Sequence, residues 1–267
     1  MFQRIVFAAA AAGLVAGLCL TAVQRLQVVP LILEAETYEG ASSTEPASGA
    51  GVVPVAGGGD HTGPAAHTHG SRAGRLDRDH DGEVRAPAGG SGRMVWTAVA
   101  NVGMAVGFAL LVVAGFALRN APVGPGRGAL WGLAGFAVFF LNPALGLPPE
   151  LPGAVAAPLV DRQGWWVAAV LSGGGGLGLA VLGRYWGLKL AGAALIALPH
   201  LVGAPHPEVA GGSAPESLEE AFVAATLIAN AVFWVVLGVA AAIGFRLFGP
   251  RRGRWPGRPD GAPAEVG

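Results

Sequence analysis

Apolar residues gather in six runs, at 5–23, 94–118, 129–147, 165–182, 185–202 and 221–248. A helix crossing the hydrocarbon core of a bilayer needs about 20 apolar residues, at about 1.5 Å of rise each. Four runs meet that length easily, while the fourth and fifth are short and only Gly183 and Arg184 separate them. They predict either a tight helical hairpin or one broken element, so five spans stand as the alternative to six. The first run follows Arg4 and has the look of a signal peptide. No A-x-A cleavage site follows it, and Leu18 before Cys19 does not suit a lipoprotein site. The expectation is an uncleaved first span. The fold class predicted is all-α, a polytopic transmembrane helix bundle of about six spans.

Charge fixes the orientation expected of that bundle. Basic residues mark the N-terminus (Arg4), the connection after the second run (Arg119, Arg127), the turn after the fourth (Arg184) and the tail (Arg246, Arg251, Arg252, Arg254, Arg258). The intervening connections are acidic or mixed: Glu150, Asp161 and Arg162 after the third run, and Glu208, Glu216, Glu219 and Glu220 after the fifth. Lys and Arg on every second connection is the positive-inside pattern of a chain with both termini cytoplasmic. Five spans would put either the acidic loop or the Arg-rich tail on the wrong side. A multi-pass protein of the bacterial plasma (inner) membrane is expected, with the lipid bilayer as its first partner.

Composition agrees. Only 13% of the residues are charged and 52% are hydrophobic, against about 25% charged in an ordinary soluble domain. The 17 basic and 17 acidic residues cancel, which gives no reason to expect nucleic-acid binding. The segment 39–93 is rich in Gly, Ala, Ser, Pro and His and cannot bury a core. The organisation predicted is a first helix with an outer-mouth segment at 1–38, a disordered His/Asp/Gly-rich outer loop at 39–93, a five-helix transmembrane core at 94–249 and a basic disordered cytoplasmic tail at 250–267.

Polar and small residues inside the spans carry the first functional hints. Gly13-x-x-x-Gly17 and Gly103-x-x-x-Gly107 have the spacing that lets helix backbones approach, which in a Gly/Ala-rich chain is generic packing first. Four consecutive glycines, Gly173–Gly176, disfavour helix by about 1 kcal/mol each relative to Ala. They suggest either a broken helix lining a path or a groove for a neighbour. Asn101, Asn142 and Asn230 lie within the second, third and sixth runs. An amide in hydrocarbon must find a partner, so these face the interior, as interhelical bonds or as the lining of a pathway.

Metal chemistry is suggested by the histidines. His61, His67, His69 and His80 sit in the insert beside Asp60, Asp77, Asp79, Asp81 and Glu83, and His200 and His206 lie around the end of the fifth run. Imidazole and carboxylate together suit divalent first-row ions. Asp77, Asp79, Asp81 and Gly82 start like a calcium loop, but the twelfth position is Ala88, so an EF-hand is discounted. Glu34 and Glu36, after the first run, should meet His200 and His206 at the outer mouth. Solvated filler is the competing reading of the insert. No phosphate loop, H-E-x-x-H, G-x-S-x-G or C-x-x-C occurs, so an enzyme has no positive support and no cofactor is expected. A haem protein would need paired histidines inside spans, and only His200 comes close.

The stretch from Leu26 to Glu39, the block from Gly132 through Asn142-Pro143-Ala144-Leu145-Gly146-Leu147-Pro148-Pro149-Glu150-Leu151-Pro152-Gly153, Arg162-Gln163-Gly164-Trp165-Trp166, the stretch from Ala197 to Pro205, and Asn230 with Phe233-Trp234 resemble the CbtA family of predicted cobalt transporter proteins. The likeness covers nearly all of the chain except the insert and the tail. It implies cobalt uptake serving cobalamin synthesis, with Co²⁺ as transported substrate, and a small single-span membrane partner bearing a His-rich terminus. An oligomer is also compatible. The family is usually described with five spans, one fewer than counted here, and no catalytic residue carries over. The function expected is the membrane subunit of a divalent-metal uptake transporter. Its rivals are a membrane scaffold or chaperone for a metal protein, and a transporter of another substrate.

Overall fold

The six apolar runs fold as six helical rods in a computed structural model that describes residues 2–44, 90–119, 123–209 and 211–248. We number the rods α1 to α6. Rod α1 joins Phe2–Val23, a π-helical turn at Gln24–Val28, and Val29–Thr44. Helix α2 is Gly90–Arg119. Rod α3 joins Pro125–Phe136, a second π-helical turn at Ala137–Leu141, and Asn142–Ala144. Helices α4, α5 and α6 are Leu159–Leu182, Trp186–Val202 and Glu216–Phe248. All regular structure among the described residues is helical, as expected of a polytopic helix bundle. Among the described residues, four candidate spans are long and apolar enough to cross a membrane: Ile5–Glu39, Gly92–Arg119, Leu159–Leu182 and Glu216–Phe248. The apolar helix α5 is shorter, with 17 residues.

The run 5–23 predicts a helix ending near Val23, yet α1 carries on to Thr44. Pro30 should oppose this, because it has no N–H and its ring presses on the carbonyl four residues earlier. The π turn answers the objection. Val29, just before the proline, donates its N–H to the Gln24 carbonyl five residues back, which widens the helix where the ring must sit. Rod α3 repeats the device: Asn142, just before Pro143, donates to the Ala137 carbonyl. Glu34 and Glu36 therefore stand on a continuous helix and not in a loop behind it.

Small residues set the packing. Ala9, Ala12, Ala16 and Leu20 are buried at helical spacing on α1, which packs against α2 and α6. Gly13 and Gly17 lie against Val106 and Val102 of α2, with no room for a Cβ. Gly103 and Gly107 have open space beside them, so the first pair serves the α1–α2 contact and the second does not. On α3, Gly128 and Gly132 press on the α6 backbone at Gly238 and Trp234. Lipid offers no hydrophobic force between helices, so close van der Waals contact of this kind holds such a bundle. Phe108, Phe139 and Trp234 complete the centre, with Phe139 and Trp234 stacked at 5.6 Å.

Helices α4 and α5 form a hairpin. Gly183 and Tyr185 adopt extended backbone between them, which excludes a single broken element. Helix α4 runs unbroken through Gly173–Gly176, so the glycine run is a packing surface and not a break. Gly176 and Gly192 meet backbone to backbone where α4 crosses α5. The hairpin reaches the other helices mainly through the second π turn and the end of α3. Its outer surface is apolar: Leu171, Trp186 and Leu201 are 70%, 72% and 81% exposed. Such side chains suit hydrocarbon and not water.

Candidate functional site

Asn142 is the buried polar side chain of the described core, and it ties three helices together. From the last turn of α3 its Nδ2 donates to the Ala169 carbonyl of α4 at 2.8 Å. Its Oδ1 lies 3.0 Å from Nε2 of His200 on α5. Two glycines make this possible. A Cβ on Gly173 would stand 2.9 Å from the Asn142 Nδ2, so α4 must be bare there for the amide to reach across. Gly146 likewise leaves space for the ring of Trp165. That ring meets His200 edge to face, with centroids 5.7 Å apart. The Trp165 Nε1 is buried without a hydrogen-bond partner, which leaves that donor unused.

His200 is held in the final turn of α5. Pro199 fixes the backbone just before it, and Gly203 closes the helix by donating to the Pro199 carbonyl at 3.0 Å. Gly203 has φ of +93°, a conformation open to glycine and costly for side-chain residues. The P-H-x-x-G arrangement thus turns the chain sharply out of the bundle directly after the histidine.

The ends of several helices gather nearby. Glu39, near the end of α1, lies against Gly153 of the connection after α3. Val155 of the same connection donates to the Gly211 carbonyl, ahead of α6, at 2.9 Å. Arg162 at the start of α4 pairs with Glu150 at 2.9 Å. Between the end of α3, the connection after it, the start of α4 and Thr226 of α6 lies an open groove of about 720 Å³, with Phe140, Pro143, Arg162, Gln163 and Trp166 among its lining. The Thr226 hydroxyl is buried without a partner.

Of the residues the sequence singles out, His200 and Asn142 are brought into contact. Glu34, Glu36 and His206 are exposed. Among the described residues no three of His, Cys, Asp and Glu converge closely enough to hold a metal ion. His61, His67, His69 and His80, with most of the predicted outer loop and all of the predicted tail, lie outside the described residues. The asparagines have different partners. Asn101 donates from α2 to Thr21 Oγ1 and Gln24 Oε1 of α1, at 3.0 and 2.7 Å. Asn230 donates to the Thr226 carbonyl of its own helix at 3.0 Å. Sequence reasoning missed the roles of Trp165, Gly173 and the Ala169 carbonyl. The glycine run was the visible signal for Gly173, but nothing local in it points to Asn142.

No curated protein and no solved structure matches the chain. One family does: its profile, described as a probable cobalt transporter subunit (CbtA), matches residues 2–246. That match takes in the first five rods, α6 as far as Arg246, both π turns and the Asn142–His200 contact. The chain belongs to the CbtA family of probable cobalt transporter subunits.

Proposed function

We propose that this chain is the membrane subunit that admits a divalent cation, Co²⁺ first among them, into the cell. The supporting observation is the contact between His200 and Asn142. It places an imidazole, a ligand suited to borderline first-row ions, on ordered helices at the end where α1, α3 and α6 gather. Glu34, Glu36 and His206 stand exposed and would attract the cation, with the histidines of the insert, His61, His67, His69 and His80, as weak capture groups. Asn101, Asn142 and Asn230 are the polar groups available along the path. The Lys and Arg residues on alternate connections support an orientation with both termini in the cytoplasm of a bacterial plasma membrane. The membrane potential then favours entry by about 2.3 kcal/mol per charge per 100 mV.

A cation at His200 needs further ligands. They would come from water, backbone carbonyls, the insert or another protein of the transporter. The family's description as one subunit of a transporter implies partner subunits, and a small single-span partner with a His-bearing terminus would fit that need. The chemistry proposed is passage, not catalysis.

The test is cobalt accumulation in cells lacking their own uptake, with this chain expressed alone and with its partner at sub-micromolar cobalt. Uptake selective over nickel and zinc, and lost in His200→Ala, is the expected result. A chain correctly inserted in the membrane that moves no cobalt in either setting overturns the proposal and favours the scaffold.

A further inference from the structure

The hydrogen bonds of Asn142 determine which nitrogen of His200 is free. The Ala169 carbonyl oxygen can only accept, so the atom of Asn142 that faces it at 2.8 Å must be Nδ2. That orientation turns Oδ1, also only an acceptor, toward His200 Nε2 at 3.0 Å. Swapping the amide would set two carbonyl oxygens against each other. Nε2 must therefore carry the proton, and in the uncharged ring the lone pair is then on Nδ1.

We infer that Asn142 is a positioning residue that locks His200 in the Nε2–H tautomer, so that a divalent first-row cation is met by Nδ1. The inference rests on the proposed uptake role for the cation, but its tautomer part does not. The arrangement follows a general pattern of histidine ligands, in which the second ring nitrogen donates to a carbonyl or carboxylate that fixes the ring. Here the acceptor is itself fixed, because Asn142 is tied to the α4 backbone. The chain Ala169 carbonyl, Asn142 amide, His200 imidazole thus couples the α4 backbone to the orientation of a ligand on α5. The edge of Trp165 restricts the ring from another side. Ligation through Nδ1 keeps this relay whole, whereas ligation through Nε2 would have to break it.

The test uses the full chain, ¹⁵N-labelled at histidine, in lipid nanodiscs. Long-range ¹H–¹⁵N spectra report the tautomer, His200→Gln identifies the signal, and diamagnetic Zn²⁺ serves as the probe ion. The metal-free protein is expected to show His200 as the Nε2–H tautomer, and Zn²⁺ to shift Nδ1 while the Nε2–H signal survives. Asn142→Leu should yield a mixture of tautomers and weaken Zn²⁺ by about 10-fold or more, as loss of an outer-shell partner does. Asn142→Asp keeps an acceptor toward Nε2 but sets an oxygen against the Ala169 carbonyl, so it should keep Nε2 protonated while losing the tie to α4, a split that a merely structural role would not predict. A His200 found as the Nδ1–H tautomer in the metal-free protein overturns the lock. Zn²⁺ that shifts Nε2 and removes its proton overturns ligation through Nδ1. If Zn²⁺ moves neither nitrogen while the Nε2–H tautomer is present, the lock stands and His200 falls as the ligand of the proposed uptake.

Discussion

Gly173 and Asn142 share one space: the Cβ that an alanine would add at Gly173 would stand 2.9 Å from the Asn142 Nδ2. Alanine favours helix over glycine by about 1 kcal/mol. The displaced amide would lose a hydrogen bond worth about 0.6 kcal/mol in a bilayer, and about 1.7 at most. Gly173→Ala is therefore expected to leave thermal stability within about 1 kcal/mol of the parent while reducing cobalt uptake. Paired melting and uptake measurements check this. Uptake at the parental level would detach the Asn142 relay from transport.

The α3–α6 crossing has no such tolerance. Cβ atoms at Gly132 and Gly238 would meet backbone of the facing helix, which cannot swing aside as a side chain does. Gly132→Ala and Gly238→Ala are each expected to destabilise the bundle by about 1–3 kcal/mol. Unfolding in mixed micelles would show it.

Asn101 and Asn142 make a matched comparison, because both donate to neighbouring helices. Asn101→Leu leaves Gln24 and Thr21 without their donor, although Thr21 also donates to the Gly17 carbonyl at 2.8 Å. A cost of about 0.6 kcal/mol is expected, with uptake little changed. Asn142→Leu, at similar cost in stability, is expected to impair uptake strongly. Equal losses of uptake in the two variants would make both amides simple glue.

The Glu150–Arg162 pair is part exposed, at 31% for each side chain. Pairs of this kind contribute about 0–1 kcal/mol. Glu150→Gln is expected to shift stability by less than that, and the comparison of its melting curve with the parent's at low and high salt measures it.

Deleting residues 57–89 removes four of the six histidines and none of the described helices. The bundle is expected to fold. Uptake should persist at high cobalt and fall at sub-micromolar cobalt, as expected for a capture tract. Unchanged uptake at all concentrations would make that tract incidental.

Much of the helical plan was legible. Length and apolarity announced the rods, and the turn between α4 and α5 was visible as Gly183-Arg184. The extension of α1 was not, because a proline with glutamates after it reads locally as the end of a span. Only the π turn, a backbone adjustment with no clear sequence signature, reverses that reading. Glycine was ambiguous for a related reason. The cost of Gly173–Gly176 to an isolated helix is known from propensity, but the return depends on what faces it, and Asn142 is 31 positions away from Gly173. The Asn142–His200 contact likewise spans 58 positions, beyond the reach of any pattern within one run.

The second π turn has a consequence for where α3 points. In an uninterrupted α-helix, Gly128, Gly132, Gly135, Phe139, Asn142 and Gly146 would all fall on one stripe, since their spacings alternate between three and four. The first four do share a partner: Gly128, Gly132, Gly135 and Phe139 meet Trp234 or Gly238 of α6. A π turn inserts one residue and retards the helix by about 100°, one residue of α-helical rotation. Asn142 and Gly146 are thereby dialled off the α6 face and onto α4 and α5. One rod serves two clients because its phase is reset midway. Deleting Phe140 would cancel the reset, and the amide now bonded to His200 would be expected to aim at α6.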